Sequence, residues 1–180
     1  SELTRPTTPG RLPTDAQGAL LASQSVAILD TLFEEADAVV IGPGLGRGAG
    51  PAALALRAVQ QKLTPVVVDA DALDELADTP QLALDFHAPA IITPHPGEFS
   101  RLAEALGMDT SATDDAERPS AAEQLAQRLG CVVVLKGART VVSDGLQTWS
   151  DRTADSALAT GGTGDVLAGL IGGLVAQHAR

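Results

Sequence analysis

Residues 65–71 read PVVVDAD, a run of valines that ends on a pair of aspartates. Such an uninterrupted run of β-branched residues is typical of a strand that is buried on both faces of a helix-covered parallel sheet. Comparable apolar runs occur at residues 36–42 (ADAVVIG), 89–93 (PAIIT) and 131–137 (CVVVLKG). Because segments with helical periodicity separate these runs, the sequence predicts an α/β fold with a mostly parallel central sheet.

The segments between the strands predict the remaining elements. Residues 140–149 (TVVSDGLQTW) predict a hairpin that turns at Asp144-Gly145. Residues 107–119 predict a mobile surface connection, and the first fourteen residues predict an extended loop. Helices are expected at about 15–35, 51–62, 73–77, 96–106 and 120–129, and a glycine turn is expected to lead into a buried last helix.

Composition limits the classes of partner. The chain has 180 residues, of which 44% are hydrophobic, so we expect residues 1–180 to form one domain. Its formal net charge of −11 disfavours non-specific binding to nucleic acid or to anionic membranes. No uncharged apolar stretch approaches the roughly 20 residues that span a bilayer. A single cysteine, Cys131, permits no intrachain disulfide, and with no signal-peptide pattern at its start the chain is expected in the cytoplasm.

The strongest local signal is the glycine turn GGTGD at residues 161–165, directly before an apolar helix. The free N–H groups at a helix start bind anions, and glycine lets a ligand approach the backbone, so phosphate is the expected ligand. Asp165 falls in the first helical turn. It could take a proton from a substrate hydroxyl, or it could merely complement the helix dipole.

Polar side chains also follow the other predicted strands, at the edge where ligands of parallel sheets bind. His95 could contact substrate or cap its helix, Glu98 could meet a magnesium-phosphate group, and Lys136 could meet a phosphate or form a solvated salt bridge. Asp69 and Asp71 could orient a ligand or metal, although one of them is expected to be the N-cap of the next helix.

Five motifs in order resemble the ADP- or ATP-dependent NAD(P)H-hydrate dehydratases of the ribokinase-like superfamily: IGPGLG, DADAL, TPHPGE, LKGARTVV and GGTGDVLAGLI. The resemblance runs from about residue 38 to residue 177. It implies a ribokinase-like three-layer sandwich and a hydro-lyase that restores NADH or NADPH from the S-form hydrate. ADP, with Mg²⁺, would be converted to AMP and phosphate.

The resemblance also implies roles for individual residues. Asp165 would be the catalytic base and a substrate contact, and Gly44, Gly46 and His95 would contact the hydrated dinucleotide. Glu98 is the candidate metal ligand. The nucleotide would be bound by residues of two loops: Lys136, Gly137, Ala138, Arg139, Thr140, Gly162, Thr163 and Gly164.

The family domain normally has further segments before and after these motifs, so the chain is expected to be a fragment whose exposed apolar faces favour homo-oligomers. Three alternatives remain. A vitamin-precursor kinase of the same superfamily would typically have Asn at position 95 or Cys at position 165. An NAD-dependent dehydrogenase would use GLGRGA at residues 44–49, with Asp69 or Asp71 on the ribose. A catalytically silent binding fragment is the third.

Overall fold

The computed structural model describes residues 12–18, 20–80, 82, 86–151 and 160–178. The extended loop predicted for the first fourteen residues therefore lies almost wholly outside the described residues. The described helices are α1 (Ala22–Glu35), α2 (Ala49–Gln60), α3 (Asp71–Ala77), α4 (Pro96–Ala105), α5 (Arg118–Leu129) and α6 (Thr163–His178). The described strands are β1 (Val39–Ile41), β2 (Val66–Val68), β3 (Ala90–Ile92), β4 (Val132–Leu135), β5 (Val141–Ser143) and β6 (Thr148–Ser150).

The six strands form one sheet whose spatial order follows the chain, from β1 to β6. The first four strands are parallel, and β5 and β6 add an antiparallel hairpin. The predicted α/β fold with a mostly parallel sheet is therefore confirmed. The predicted hairpin turn is confirmed as well, because the Asp144 carboxylate accepts hydrogen bonds from the amides of Leu146 and Gln147 at 2.8 and 2.7 Å.

Helices cover the two faces of the sheet unequally. Helices α1 to α4 contact one another in succession, and α5 packs on β4, β5 and β6. Val66, Val68 and Ile92 point into this main core, together with Phe99 and Leu125. Because side chains alternate across a strand, neighbours such as Val67 face the other side, where α6 contacts β1 and β2. The predicted three layers are therefore present, and α6 is the described helix of the third.

Helix α6 was expected to be buried, and the structure corrects this. Its buried residues are the small ones, Ala168 and Gly172, and a Cβ on Gly172 would lie 2.5 Å from the Val40 side chain. Its large residues point away from the sheet. The exposed fractions are 61% for Val166, 62% for Leu170 and 58% for Leu174. Hydropathy indicated that α6 prefers burial, but no described residues cover the stripe formed by Val166, Leu170 and Leu174. No described helix is long and apolar enough to cross a membrane.

Three local predictions were wrong. Helix α1 begins at Ala22 rather than near residue 15, because Thr14 and Leu20 form an antiparallel bridge before it. Neither Asp69 nor Asp71 is the N-cap of α3: that position is Ala70, and no side chain caps the helix. The connection 107–119 is shorter than predicted and anchored at one point, since α5 begins at Arg118 and the buried Ala112 lies within the connection.

Candidate active site

The carboxyl ends of the four parallel strands bring the predicted motifs to one edge of the sheet. Strand β1 leads into a glycine-rich segment, residues 42–48, which we call the β1 loop. Strand β2 leads into Asp69, and β3 leads through Thr93 to the His95 turn. Strand β4 leads into residues 136–140, which we call the β4 loop. Because the strands lie in chain order, these segments are neighbours, as the sequence predicted.

An ion pair between Asp69 and Lys136 joins the ends of β2 and β4. The Lys136 Nζ atom lies 2.5 Å from Asp69 Oδ1 and 3.8 Å from Glu98 Oε2. The side chains of Asp69 and Glu98 are 1% and 6% exposed, and that of Lys136 is 20% exposed. Of the two roles considered for Lys136, the structure thus shows a salt bridge, but one that is largely shielded from water. A shielded pair is held more firmly than a solvated one.

The glycine turn 161–165 lies against this ion pair. A Cβ on Gly164 would be 3.7 Å from both Asp69 Oδ2 and Lys136 Nζ. Gly162 has a φ of 86°, a left-handed conformation that favours glycine, and its carbonyl accepts the amide of Val166 at 3.1 Å. Gly161, Gly162 and Asp165 are exposed. The start of α6 therefore combines accessible helix amides with an adjacent ammonium, an arrangement that suits a phosphate.

The β1 loop is tied to α3 by carboxylates. The amide of Gly46 donates to Asp71 Oδ2 at 2.8 Å, and that of Gly48 donates to Glu75 Oε1 at 3.1 Å. Arg47 pairs with Glu75 at 2.8 Å. At the start of the loop, a Cβ on Gly42 would lie 1.7 Å from the Asp69 carbonyl oxygen, so only glycine fits there. Gly44 is exposed at the tip of the loop, whereas the Gly46 amide already has a protein acceptor.

His95 and Glu98 form a capping box at the start of α4. The His95 Nδ1 atom accepts the amides of Gly97 and Glu98 at 2.9 and 3.1 Å, and Glu98 Oε2 accepts the His95 amide at 2.7 Å. Thus the capping role considered for His95 is confirmed. Its side chain is 51% exposed. Because Nδ1 is an acceptor, the proton of the neutral ring is on Nε2, the nitrogen that faces Glu98 Oε1.

The carboxylate of Glu98 is already engaged by the protein. Burial raises its pKa, although the His95 amide and the Lys136 ammonium lower it. Its Oε1 atom also lies 3.4 Å from His95 Nε2. Across the described ranges, no group of three His, Cys, Asp or Glu side chains could hold a metal ion. The residues present therefore do not fit a metal held by the protein alone.

Arg118 shapes the β4 loop, and no sequence pattern pointed to it. Its guanidinium is buried and donates to the carbonyls of Ala112, Leu135, Lys136 and Arg139 at 2.9 to 3.3 Å. Burial lowers its pKa. A Cβ on Gly137 would lie 2.5 Å from the guanidinium, which explains the glycine. Because these contacts span up to 21 residues of sequence, only the folded chain reveals them.

One residue of the β4 loop, Arg139, lines an open depression. Gly137, Ala138 and Arg139 are exposed, and the carbonyl of Thr140 accepts the amide of Asp151 at 2.8 Å. The depression has a volume of about 360 Å³ and is lined by Asp115, Ala116, Pro119, Arg139, Val141, Ser150 and Asp151. A larger apolar groove, about 610 Å³, lies at the amino ends of β2 to β4, away from these motifs.

A family model described as NAD(P)H-hydrate dehydratase matches residues 13–180. The chain belongs to this family. The bifunctional NAD(P)H-hydrate repair enzyme Nnr of Gloeobacter violaceus is 45% identical over 146 residues, which cover 81% of this chain and 27% of the relative. Nnr of Salinibacter ruber is 43% identical over 176 residues, 97% of this chain and 31% of the relative. The chain thus spans less than a third of the length of these curated relatives.

Solved structures confirm the ribokinase-like fold. A ribokinase-like superfamily protein of Enterococcus faecalis matches with a TM-score of 0.68 and 26% identity, over 89% of this chain and 55% of that one. YxkO of Bacillus subtilis matches with a TM-score of 0.60 and 34% identity, over 79% of this chain and 52% of that one. The resemblance predicted from the five motifs is therefore confirmed, and the family favours a dehydratase over a vitamin-precursor kinase.

The structure also argues against the dehydrogenase alternative. Dinucleotide-binding folds place their ligand where the strand order reverses direction. The described sheet runs from β1 to β6 with no such reversal. The glycines of the β1 loop therefore belong to the NAD(P)H-hydrate dehydratase family's arrangement rather than to a Rossmann site.

Proposed function

We propose that the full protein catalyses ADP-dependent dehydration of the S-form hydrate of NADH and NADPH, and that it releases the reduced cofactor, AMP and phosphate. Family membership supports the reaction class. The structural observation that carries the proposal is the glycine turn, with Gly164 against the Lys136 ammonium and Asp165 exposed in the first turn of α6. Phosphoryl transfer needs an anion site and a base side by side.

In the proposed reaction, Asp165 takes the proton from the hydroxyl group of the hydrate. The hydroxyl oxygen then attacks the terminal phosphorus of ADP, and AMP leaves. The lone pair of the ring nitrogen next expels the new phosphate ester group, and loss of a proton from the adjacent ring carbon restores the double bond. Phosphorylation is useful because phosphate is a better leaving group than hydroxide.

The surrounding residues would stabilise the transferred group. We propose that the amides of Gly162, Thr163 and Gly164, with the positive end of the α6 dipole, stabilise the charge that develops there. The Thr163 amide would then exchange its present acceptor, the Thr160 carbonyl at 3.3 Å, for the phosphate. The Lys136 ammonium adds a positive charge at the same place. We propose that Gly137, Ala138, Arg139 and Thr140 bind the rest of the nucleotide; the exposure of Gly137, Ala138 and Arg139 supports this, and Arg139 lines the open depression.

We propose that the hydrated dinucleotide binds between the β1 loop and the His95 turn, with Gly44, Gly46 and His95 as contacts. Exposure of the Gly44 backbone and of the His95 ring supports this. Mg²⁺ would enter with the phosphates of ADP, with Glu98 as a candidate ligand, since Mg²⁺ commonly binds through substrate phosphates and one or two carboxylates.

Two further proposals concern the state of the protein. We propose that it acts in the cytoplasm, because a chain with the single cysteine Cys131 forms no intrachain disulfide and suits a reducing compartment. Burial raises the pKa of this thiol to about 12 and makes it unreactive. We also propose self-association, which the exposed stripe Val166, Leu170 and Leu174 supports.

Incubating the full-length protein with the hydrate of NADH, ADP and Mg²⁺ tests the function. We expect the absorbance of reduced nicotinamide to return and AMP to form in equal amount. Asp165→Asn should lower the rate about 10²- to 10⁴-fold, the usual contribution of a general base, while ADP still binds. Full activity of Asp165→Asn would reject its role, and absence of turnover by the wild-type protein would reject the function.

A further inference from the structure

The turn after β2 sends its two carboxylates in different directions. Ala70, between Asp69 and Asp71, has a φ of 49° and is the one residue other than glycine with a positive φ among those the structure describes. Such a conformation is unfavourable for alanine and persists only where the surroundings impose it. Its result is that Asp69 reaches the β4 loop, whereas Asp71 reaches the β1 loop.

Asp69 is well placed to fix the position of Lys136. The carboxylate is 1% exposed, and the Asp69 amide donates to the Ile41 carbonyl at 3.0 Å, so its own position is determined by the sheet. Lysine has a long flexible side chain, and its ammonium needs an anchor to stay in one place. The 2.5 Å contact with Asp69 Oδ1 holds the ammonium next to Gly164.

Asp71 has a different task on the other side of the turn. Its Oδ2 atom accepts the amide of Gly46, which has a φ of 79°. Glycines at such angles lose much conformational freedom when a loop is ordered, so a loop rich in them needs external contacts. Asp71 supplies one of these contacts at the middle of the β1 loop.

We propose that Asp69 and Asp71 are positioning residues for the two different ligands of the reaction. Asp69 orients the Lys136 ammonium toward the phosphoryl group at the glycine turn, and Asp71 keeps the β1 loop in the shape that receives the hydrated dinucleotide. This inference rests on the proposed function, because it assigns the two loops to ADP and to the hydrate.

The inference predicts that the two acids affect different kinetic constants. Asp69→Asn removes the charge that anchors Lys136, so kcat should fall by about 10- to 100-fold, the scale of a misplaced group. Its affinity for ADP should stay or increase, because a negative charge beside the phosphate site is lost. Asp71→Ala removes the acceptor of the Gly46 amide, so KM for the hydrate should rise about tenfold, with little change in kcat or in ADP affinity.

The test uses the full-length protein, with kcat and KM for the NADH hydrate measured at saturating ADP and Mg²⁺, and ADP affinity measured by calorimetry. Asp30→Asn is the matched control, because it removes one negative charge on α1, where Asp30 pairs with Arg57 at 2.7 Å. This control should leave all three constants unchanged. Equal effects of Asp69→Asn and Asp71→Ala on the same constant would overturn the inference.

A second comparison distinguishes the proposed role of Asp69 from simple misfolding of the variant. Lys136→Met removes the other partner of the ion pair, and adding Asp69→Asn to it should lower kcat by less than about twofold more if Asp69 acts through Lys136. If the two substitutions instead lower kcat by independent factors that multiply in the double variant, Asp69 does not act through Lys136. Should the wild-type protein not turn over the hydrate, the proposed function fails. ADP and NADPH binding then test the inference alone: Asp71→Ala must weaken only NADPH, and weakened ADP binding would overturn it.

Discussion

The β1 loop and the β4 loop occupy the same edge of the sheet, but they are held in opposite ways. The β4 loop is fixed from inside, by the buried guanidinium of Arg118 and the shielded ion pair of Lys136. The β1 loop is held from α3, by Asp71, by the buried Glu75 and through Arg47, whose side chain is 46% exposed. Buried hydrogen bonds to charged groups stabilise more than exposed ion pairs do. The β4 loop should therefore be held more firmly than the β1 loop.

The largest effect is expected from Arg118. Arg118→Met leaves the carbonyls of Ala112, Leu135, Lys136 and Arg139 without this donor, so the free energy of unfolding should fall by about 3 kcal/mol. Urea denaturation of the full-length protein measures this. Arg118→Lys should recover only part of the loss, because an ammonium cannot reach all four carbonyls. A loss below about 0.5 kcal/mol for Arg118→Met, as for an ordinary surface substitution, would remove the distinction between the loops.

Gly137 tests the same contact with a smaller change. Gly137→Ala places a Cβ 2.5 Å from the Arg118 guanidinium, and overpacking of this kind costs about 1 to 3 kcal/mol. Gly169→Ala on α6 is the matched control, because its Cβ would meet nothing within 4 Å. There alanine should stabilise the helix by about 0.5 to 1 kcal/mol. The two substitutions should therefore change the free energy of unfolding in opposite directions.

These contacts also mark the limit of what the sequence predicted. The valine runs predicted the parallel strands, and the glycines that follow them predicted the sheet edge at which the site lies. Both predictions succeed because they depend on residues that are close together in sequence. The contacts of Arg118 and the divergence of Asp69 from Asp71 join segments distant in sequence, and the latter depends on the backbone of Ala70. For α6, hydropathy predicted burial, but hydropathy does not say which surface covers a helix.

The smallest effect is expected at the surface of the β1 loop. Arg47→Gln removes ion pairs with Asp74, Glu75 and Asp78. Because Arg47 is nearly half exposed, and the Gly48 amide still donates to the buried Glu75, we expect a loss of about 1 kcal/mol at low salt, and less at about 1 M salt, where screening is strong. Unfolding curves at both salt concentrations measure this difference. A larger loss that persists at high salt would mean that the β1 loop is as firmly held as the β4 loop.

The central claim is that the glycine turn and Lys136 together bind the phosphate that is transferred. A crystal structure of the full-length protein with ADP tests it most directly. We predict that the terminal phosphate accepts hydrogen bonds from the amides at the start of α6, with the Lys136 ammonium beside it and Asp165 facing the acceptor side. Binding of the phosphates at another place, such as the apolar groove at the amino ends of the strands, would contradict the account.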